Sequence, residues 1–109
     1  MSSMDFKSLS IIIPAYNEEK TIHLILDKVK AVELIHGIQK QLIIVNDCSS
    51  DDTKGAVEKY ISQNQDLDIS YYEHEVNKGK GAALHTGIEK LHALNRKITG
   101  FKVVSLICW

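Results

Sequence analysis

At 109 residues the chain is long enough for one domain and too short for two. Its 25% charged and 44% hydrophobic residues exclude a disordered chain, and a formal net charge of −1 excludes a broad electrostatic pull toward nucleic acid. The two cysteines, Cys48 and Cys108, are too few and too far apart for a disulfide framework or paired zinc ligands.

The first residues, MSSMDFKSLS, lack the basic-then-apolar layout of a signal peptide. No apolar run reaches the roughly 18–20 residues that span a bilayer, so a cytoplasmic protein without a transmembrane segment is expected. Ser10 to Ile13 is a short β-branched run stopped by Pro14, the pattern of a strand buried on both faces. Asn17 suits a helix N-cap, with Glu18 and Glu19 on the first turn where the helix dipole favours negative charge. Ile22, Ile25, Leu26, Val29 and Val32 repeat at helical spacing, and His36-Gly37 gives a stop.

The pattern then recurs. Gln41 to Val45 forms a second buried strand, followed by the polar turn Asn46 to Ser50. A second helix carries Thr53, Ala56, Val57, Tyr60 and Ile61 on its inner face. Ile69 to Tyr72 begins a third strand, and Asn77 to Gly81 is a glycine-containing loop. Ala82 to about Asn95 is a third helix with Leu84, Ile88 and Leu91 inward, and Phe101 to Cys108 is a fourth strand.

Alternating strands and helices imply an α/β fold of Rossmann-like βαβ units around a mainly parallel sheet. Ligands of such sheets bind beyond the carboxyl ends of the strands. The polar segments Pro14–Glu18, Asn46–Asp51 and Asn77–Gly81 all lie at such ends, so the topology brings them to one edge.

Each segment offers specific chemistry. In PAYNEE, the ring of Tyr16 can lie against a flat base or pack on the sheet edge, and Asn17 or Glu18 can accept hydrogen bonds from a base or ribose. In VNDCSSDDT, Asp47 directly follows a buried strand, where its carboxylate can accept the imide hydrogen of a uracil or the amide edge of a guanine. Ser49, Ser50 and Asp51 are expected to cap the second helix, and Cys48 to be an ordinary small turn residue. In NKGKGAAL, backbone N–H groups at a helix start and two lysines favour an anion, although the spacing fits neither the P-loop nor the dinucleotide fingerprint. Most of the five histidines are expected on surfaces or helix faces; His85 and His92, about 10 Å apart along a helix, are too distant to share one metal directly.

Together, SIIIPAYNEEKTI, IIVNDCSSDDT and NKGKGAALHTGI resemble the N-terminal motifs of family-2 glycosyltransferases with the GT-A fold, and most closely the dolichyl- or polyprenyl-phosphate sugar transferases. The resemblance covers residues about 8 to 90. It implies a partial GT-A domain spanning 1–109, with a nucleotide-diphosphate sugar, UDP- or GDP-linked, as partner. By the resemblance, Pro14, Ala15, Tyr16 and Glu18 line the nucleoside pocket and Asp47 contacts the base. Lys78, Lys80 and Gly81 match the segment that helps hold the sugar nucleotide. Asn46 stands where the family commonly has an acid, and Cys48 and Asp52 where it often has glycine.

The resemblance also implies an Asp-x-Asp motif that binds Mg2+ or Mn2+ after an apolar strand. Ile98-Thr99-Gly100 and Val103 to Leu106 fit the approach, but the acidic positions hold Ile107 and Trp109. No metal site, no cofactor and little glycosyl transfer by the chain alone are therefore expected, the family's catalytic base being absent too. A non-catalytic module that self-associates through VVSLICW, as a homodimer, is the alternative; a nucleotidyltransferase is a third reading that rests on fold analogy.

Overall fold

Strands that are apolar at every position need cover on both faces. The computed structural model, which describes residues 8–32, 39–95 and 101–105, supplies it. The elements run β1 (Ser8–Ala15), α1 (Ile22–Ala31), β2 (Gln39–Asn46), α2 (Thr53–Gln63), β3 (Asp68–Glu73), α3 (Lys80–Asn95) and β4 (Phe101–Ser105). All pairings are parallel, in the order β3-β2-β1-β4. Ile12 of β1 stands opposite Ile43 of β2 and Ile13 opposite Ile44.

The period-2 alternation of a strand sends neighbours to opposite faces. Ile11, Ile13, Leu42 and Ile44 meet Ile22, Leu26, Val57 and Tyr60 of α1 and α2. Ile12, Ile43 and Val45 meet Ala83 and Leu91 of α3 on the other side. All the named residues are buried. Fully burying a side chain of this kind stabilises by about 1.5–3 kcal/mol, so these two layers hold the sheet and fix where its carboxyl edge lies.

Several boundaries differ from the sequence expectation. Pro14 does not stop β1, which continues to Ala15. Asp47 N–H donates to Ala15 O at 2.9 Å, so Ala15 faces β2 and Pro14, one residue earlier, faces the β4 side. Helix α1 starts at Ile22 behind Thr21, without a side-chain cap or an acidic first turn. Asn17, Glu18 and Glu19 are drawn instead into the neighbouring loop. The C-cap Val32 is 52% exposed rather than inward, while Lys40 Nζ donates to the carbonyls of Val29, Lys30 and Val32 at 2.8, 2.8 and 2.6 Å. A strand lysine thereby satisfies carbonyls left over at the helix end.

The cap of α2 is Asp52, whose carboxylate accepts Gly55 N–H at 3.1 Å, rather than Ser49, Ser50 or Asp51. Helix α3 begins at Lys80, two residues before the expected Ala82. Leu91 is buried as expected, with Leu84 and Ile88 half-buried, but the closest approach is through Ala83 and Gly87. A Cβ at Gly87 would lie 2.4 Å from Ile12 Cγ2; only hydrogen fits between α3 and β1 there. The expected stop at His36-Gly37 and the end of β4 after Ser105 lie outside the described residues.

Candidate functional site

The carboxyl ends of β1, β2 and β3 lead into three loops that bond one another more than they bond their own helices. Loop one meets loop two through a zipper of side chain to backbone bonds. Asn17 N–H donates to Ser49 Oγ at 2.9 Å, and Ser50 N–H returns a bond to Asn17 Oδ1 at 2.8 Å. Glu18 N–H donates to Thr53 Oγ1 at 2.9 Å, and Asp52 N–H to Glu19 Oε1 at 2.9 Å. Glu19 N–H donates to Asp51 Oδ2 at 3.2 Å. Asn17 has a φ of 54°, a left-handed conformation that asparagine tolerates better than most residues. Its side chain serves the zipper and not the helix.

Loop two meets loop three through Asp47, which is fully buried. Its Oδ1 accepts Lys78 N–H at 2.8 Å and lies 2.7 Å from His74 Nδ1, and its Oδ2 accepts Gly79 N–H at 2.8 Å. Asn77 Nδ2 donates to the Asp47 carbonyl at 3.3 Å. Burial alone raises this carboxyl, but the His74 hydrogen bond, the two backbone donors and the His74 charge together leave it below the ordinary value of 3.8. Two of the backbone N–H groups expected to favour a bound anion are thus already occupied by the chain's own carboxylate.

Asn46, 3% exposed, uses both ends of its amide. Its Oδ1 accepts Ser49 N–H at 3.1 Å and Ser49 Oγ–H at 2.6 Å, while its Nδ2 donates to Tyr71 OH at 3.0 Å. A carboxylate accepts only and cannot supply that donor. Burial raises Tyr71 to about 12, and the Glu73 charge adds to the rise against the Asn46 bond. Cys48 has a φ of 55° and is exposed, with Sγ 3.4 Å from Glu75 O. Its left-handed backbone is one that glycine adopts without strain; Asp52, with a φ of −92°, does not share it.

The sequence-derived residues are brought to this edge in different states. Pro14, Ala15 and Asp47 are buried, Tyr16 and Glu18 half-buried, and Lys78, Lys80 and Gly81 exposed. Most histidines were expected at surfaces or on helix faces, and His74 is an exception: its side chain is 6% exposed, between Asp47 and Thr86. The signal available was its position one residue past the end of β3, on the edge where the other loops converge. His85, by contrast, is exposed and pairs with Glu89 at 3.7 Å. Among the described residues no group of three or more His, Cys, Asp or Glu side chains is arranged to hold a metal ion. Ile107 and Trp109 lie outside the described residues. Among the described residues no helix is long and apolar enough to cross a membrane.

Residues 10–93 match the family model described as glycosyl transferase family 2. The chain is 36% identical over 84 residues to a dolichyl-phosphate beta-glucosyltransferase of Trichomonas vaginalis, covering 72% of this chain and 25% of that protein. Among solved structures, a Pyrobaculum calidifontis mannosyltransferase in complex with GDP-Man and Mn2+ superposes with a TM-score of 0.70 at 27% identity, covering 75% of this chain and 24% of the other. S. aureus TarS 1-349 in complex with UDP superposes with a TM-score of 0.66 at 26% identity, covering 90% and 27%. The chain spans only 19% to 27% of the length of the first curated relatives it matches.

Proposed function

Because the chain belongs to glycosyl transferase family 2, we propose that its carboxyl sheet edge holds the nucleoside diphosphate part of a UDP- or GDP-sugar for transfer of the sugar to an acceptor. The observation that carries this reading is the cross-bonding of all three strand-end loops, Asn17 to Ser49 and Ser50, and Asp47 to Lys78 and Gly79. A sheet edge whose loops are cross-bonded this way leaves less ordering to be done on binding. Support also comes from neighbours solved with GDP-Man and with UDP.

In this reading the base lies against Tyr16, and Pro14, Ala15 and Glu18 form the adjoining wall. The ammonium groups of Lys78 and Lys80 balance the diphosphate, and Gly81 lets the backbone approach it. Asp47 has three of its roughly four acceptor positions filled. The fourth, on Oδ2, is the one a base N–H would take. The described residues present no group that fits a metal, and the family's acidic positions hold Ile107 and Trp109 in this sequence. Turnover by these residues alone is therefore expected to be low.

Calorimetric titration with UDP, GDP, UDP-glucose and GDP-mannose, with and without Mn2+, tests the reading. Binding that is metal-independent and weakens about tenfold or more on Tyr16→Ala, the loss of one base–aromatic stacking contact, supports it. No binding by a folded chain rejects it. A second reading, self-association through the sequence segment Val103–Trp109, is favoured by the outer position of β4 in the described sheet. Light scattering that finds a monomer at high concentration, unchanged on deleting that segment, rejects it.

A further inference from the structure

We infer that His74 is a positioning residue: held between Asp47 and Thr86, its ring sets the conformation in which residues 77–79 meet the nucleotide sugar, an inference that rests on the nucleotide-binding reading above. His74 Nδ1 lies 2.7 Å from Asp47 Oδ1 and Nε2 lies 2.7 Å from Thr86 Oγ1. The His74 backbone N–H donates to Asn46 O at 2.8 Å, so the residue is fixed to the end of β2 before its ring reaches α3. The ring side chain is 6% exposed.

These bonds close a circuit. Asp47 accepts from Lys78 and Gly79 at the entrance to α3, Ala83 N–H donates to Gly79 O at 3.0 Å to begin the helix, and Thr86 returns to His74 from the same helix. Gly79 itself has a φ of 93°, a conformation glycine adopts without strain. The circuit holds the strand-end carboxylate and the lysine-bearing helix start in one fixed relation.

The hydrogen-bond chemistry places one ring proton. An ionised carboxylate only accepts, so Nδ1 carries the proton that faces Asp47. Nε2 meets the Thr86 hydroxyl, which can donate or accept. Both nitrogens are committed inside the chain, which fits a residue that acts through Asp47 and not on substrate. A ring with polar atoms at both ends bridges the two partners; an asparagine reaches only the nearer one.

The experiment uses the whole 109-residue chain, nitrogen-15 labelled. It compares wild type, His74→Ala, His74→Asn and Thr86→Val. Amide exchange at Lys78 and Gly79 and the ring nitrogen shifts are recorded by NMR, and each variant is titrated with UDP and GDP. The wild-type spectrum is expected to show a protonated Nδ1. His74→Ala is expected to speed exchange of both amides and weaken nucleotide binding about tenfold, the scale of one lost hydrogen bond. His74→Asn is expected to restore most of both losses. Thr86→Val keeps the side-chain shape and severs only the far bond, so it is expected to shift the ring nitrogens and weaken binding less; it serves if His74→Ala does not fold.

Wild-type binding that His74→Ala and Thr86→Val both retain in full, or unchanged Lys78 and Gly79 exchange in a folded His74→Ala, overturns the role of His74 alone. A folded wild-type chain that binds neither nucleotide overturns the nucleotide reading and the positioning role with it.

Discussion

Asp47, Asn46 and Cys48 are adjacent in sequence, and each answers a different physical demand. Asp47 replaces solvent with donors from His74, Lys78 and Gly79, and charge-assisted bonds of this kind are the stronger ones. Its carboxyl is lowered in the folded chain, so it contributes stability that is complete above the ordinary value of 3.8 and is lost as pH falls through the lower folded value. Asp51 shifts in the same direction: burial raises it, and the Thr53 hydroxyl and backbone donors outweigh that rise. An acid titration of wild type against Asp47→Asn is therefore expected to show a steeper loss of stability below pH 3.8 in wild type, with the variant about 1.5–3 kcal/mol less stable at neutral pH. Parallel acid limbs would contradict the role given to the carboxylate. Cys48 holds a left-handed backbone at an exposed position. Relieving that strain outweighs the entropic cost of glycine, so Cys48→Gly is expected to raise the unfolding free energy by up to about 1 kcal/mol, read as a higher denaturant midpoint at unchanged m.

The strands and helices were legible where one face, or both, carries apolar residues in period. Ile11 to Ile13 and Leu42 to Val45 announce two-sided burial, and Thr53, Val57 and Tyr60 announce the face of α2. The loops at the sheet edge were legible as neighbours, because topology alone places them. Their internal bonding was not. Asn17 is an ordinary N-cap by local preference, and only the presence of Ser49 and Ser50 across the gap diverts it. The same holds for His74, whose two partners lie 27 and 12 residues away; no local pattern encodes such a pair. Gly87 also escaped notice, since a glycine in a helix gives no sign of what lies opposite. With Ile12 in van der Waals conflict with any Cβ there, Gly87→Ala adds about 1–3 kcal/mol of overpacking against about 1 kcal/mol of helix propensity gained. A net loss on thermal unfolding is expected; an unchanged or higher Tm would mean that α3 can move away from β1 freely.

At the scale of the molecule, helices α1 and α2 cover one face of a parallel sheet and α3 the other, with the loops gathered at the carboxyl edge. Alkaline conditions test the helix layer separately. Burial pushes Tyr60 up to about 12, with its bond to Asp27 adding to the rise. The raised value means a contribution present below the ordinary 10.0 and lost as pH climbs toward 12. Tyr60→Phe is expected to reduce the loss of stability over that interval, and an identical alkaline limb would exclude Tyr60 as its source.

The central claim is that the three strand-end loops form one nucleotide-binding edge. The most direct measurement is an NMR titration of the labelled chain with UDP and with GDP, mapping which backbone amides respond. The account predicts saturable changes concentrated at residues 15–18, 47–51 and 77–81, with the far ends of the sheet and the outward faces of α1 and α2 unchanged. A folded chain with no response, or one whose responses cluster away from these loops, would contradict it.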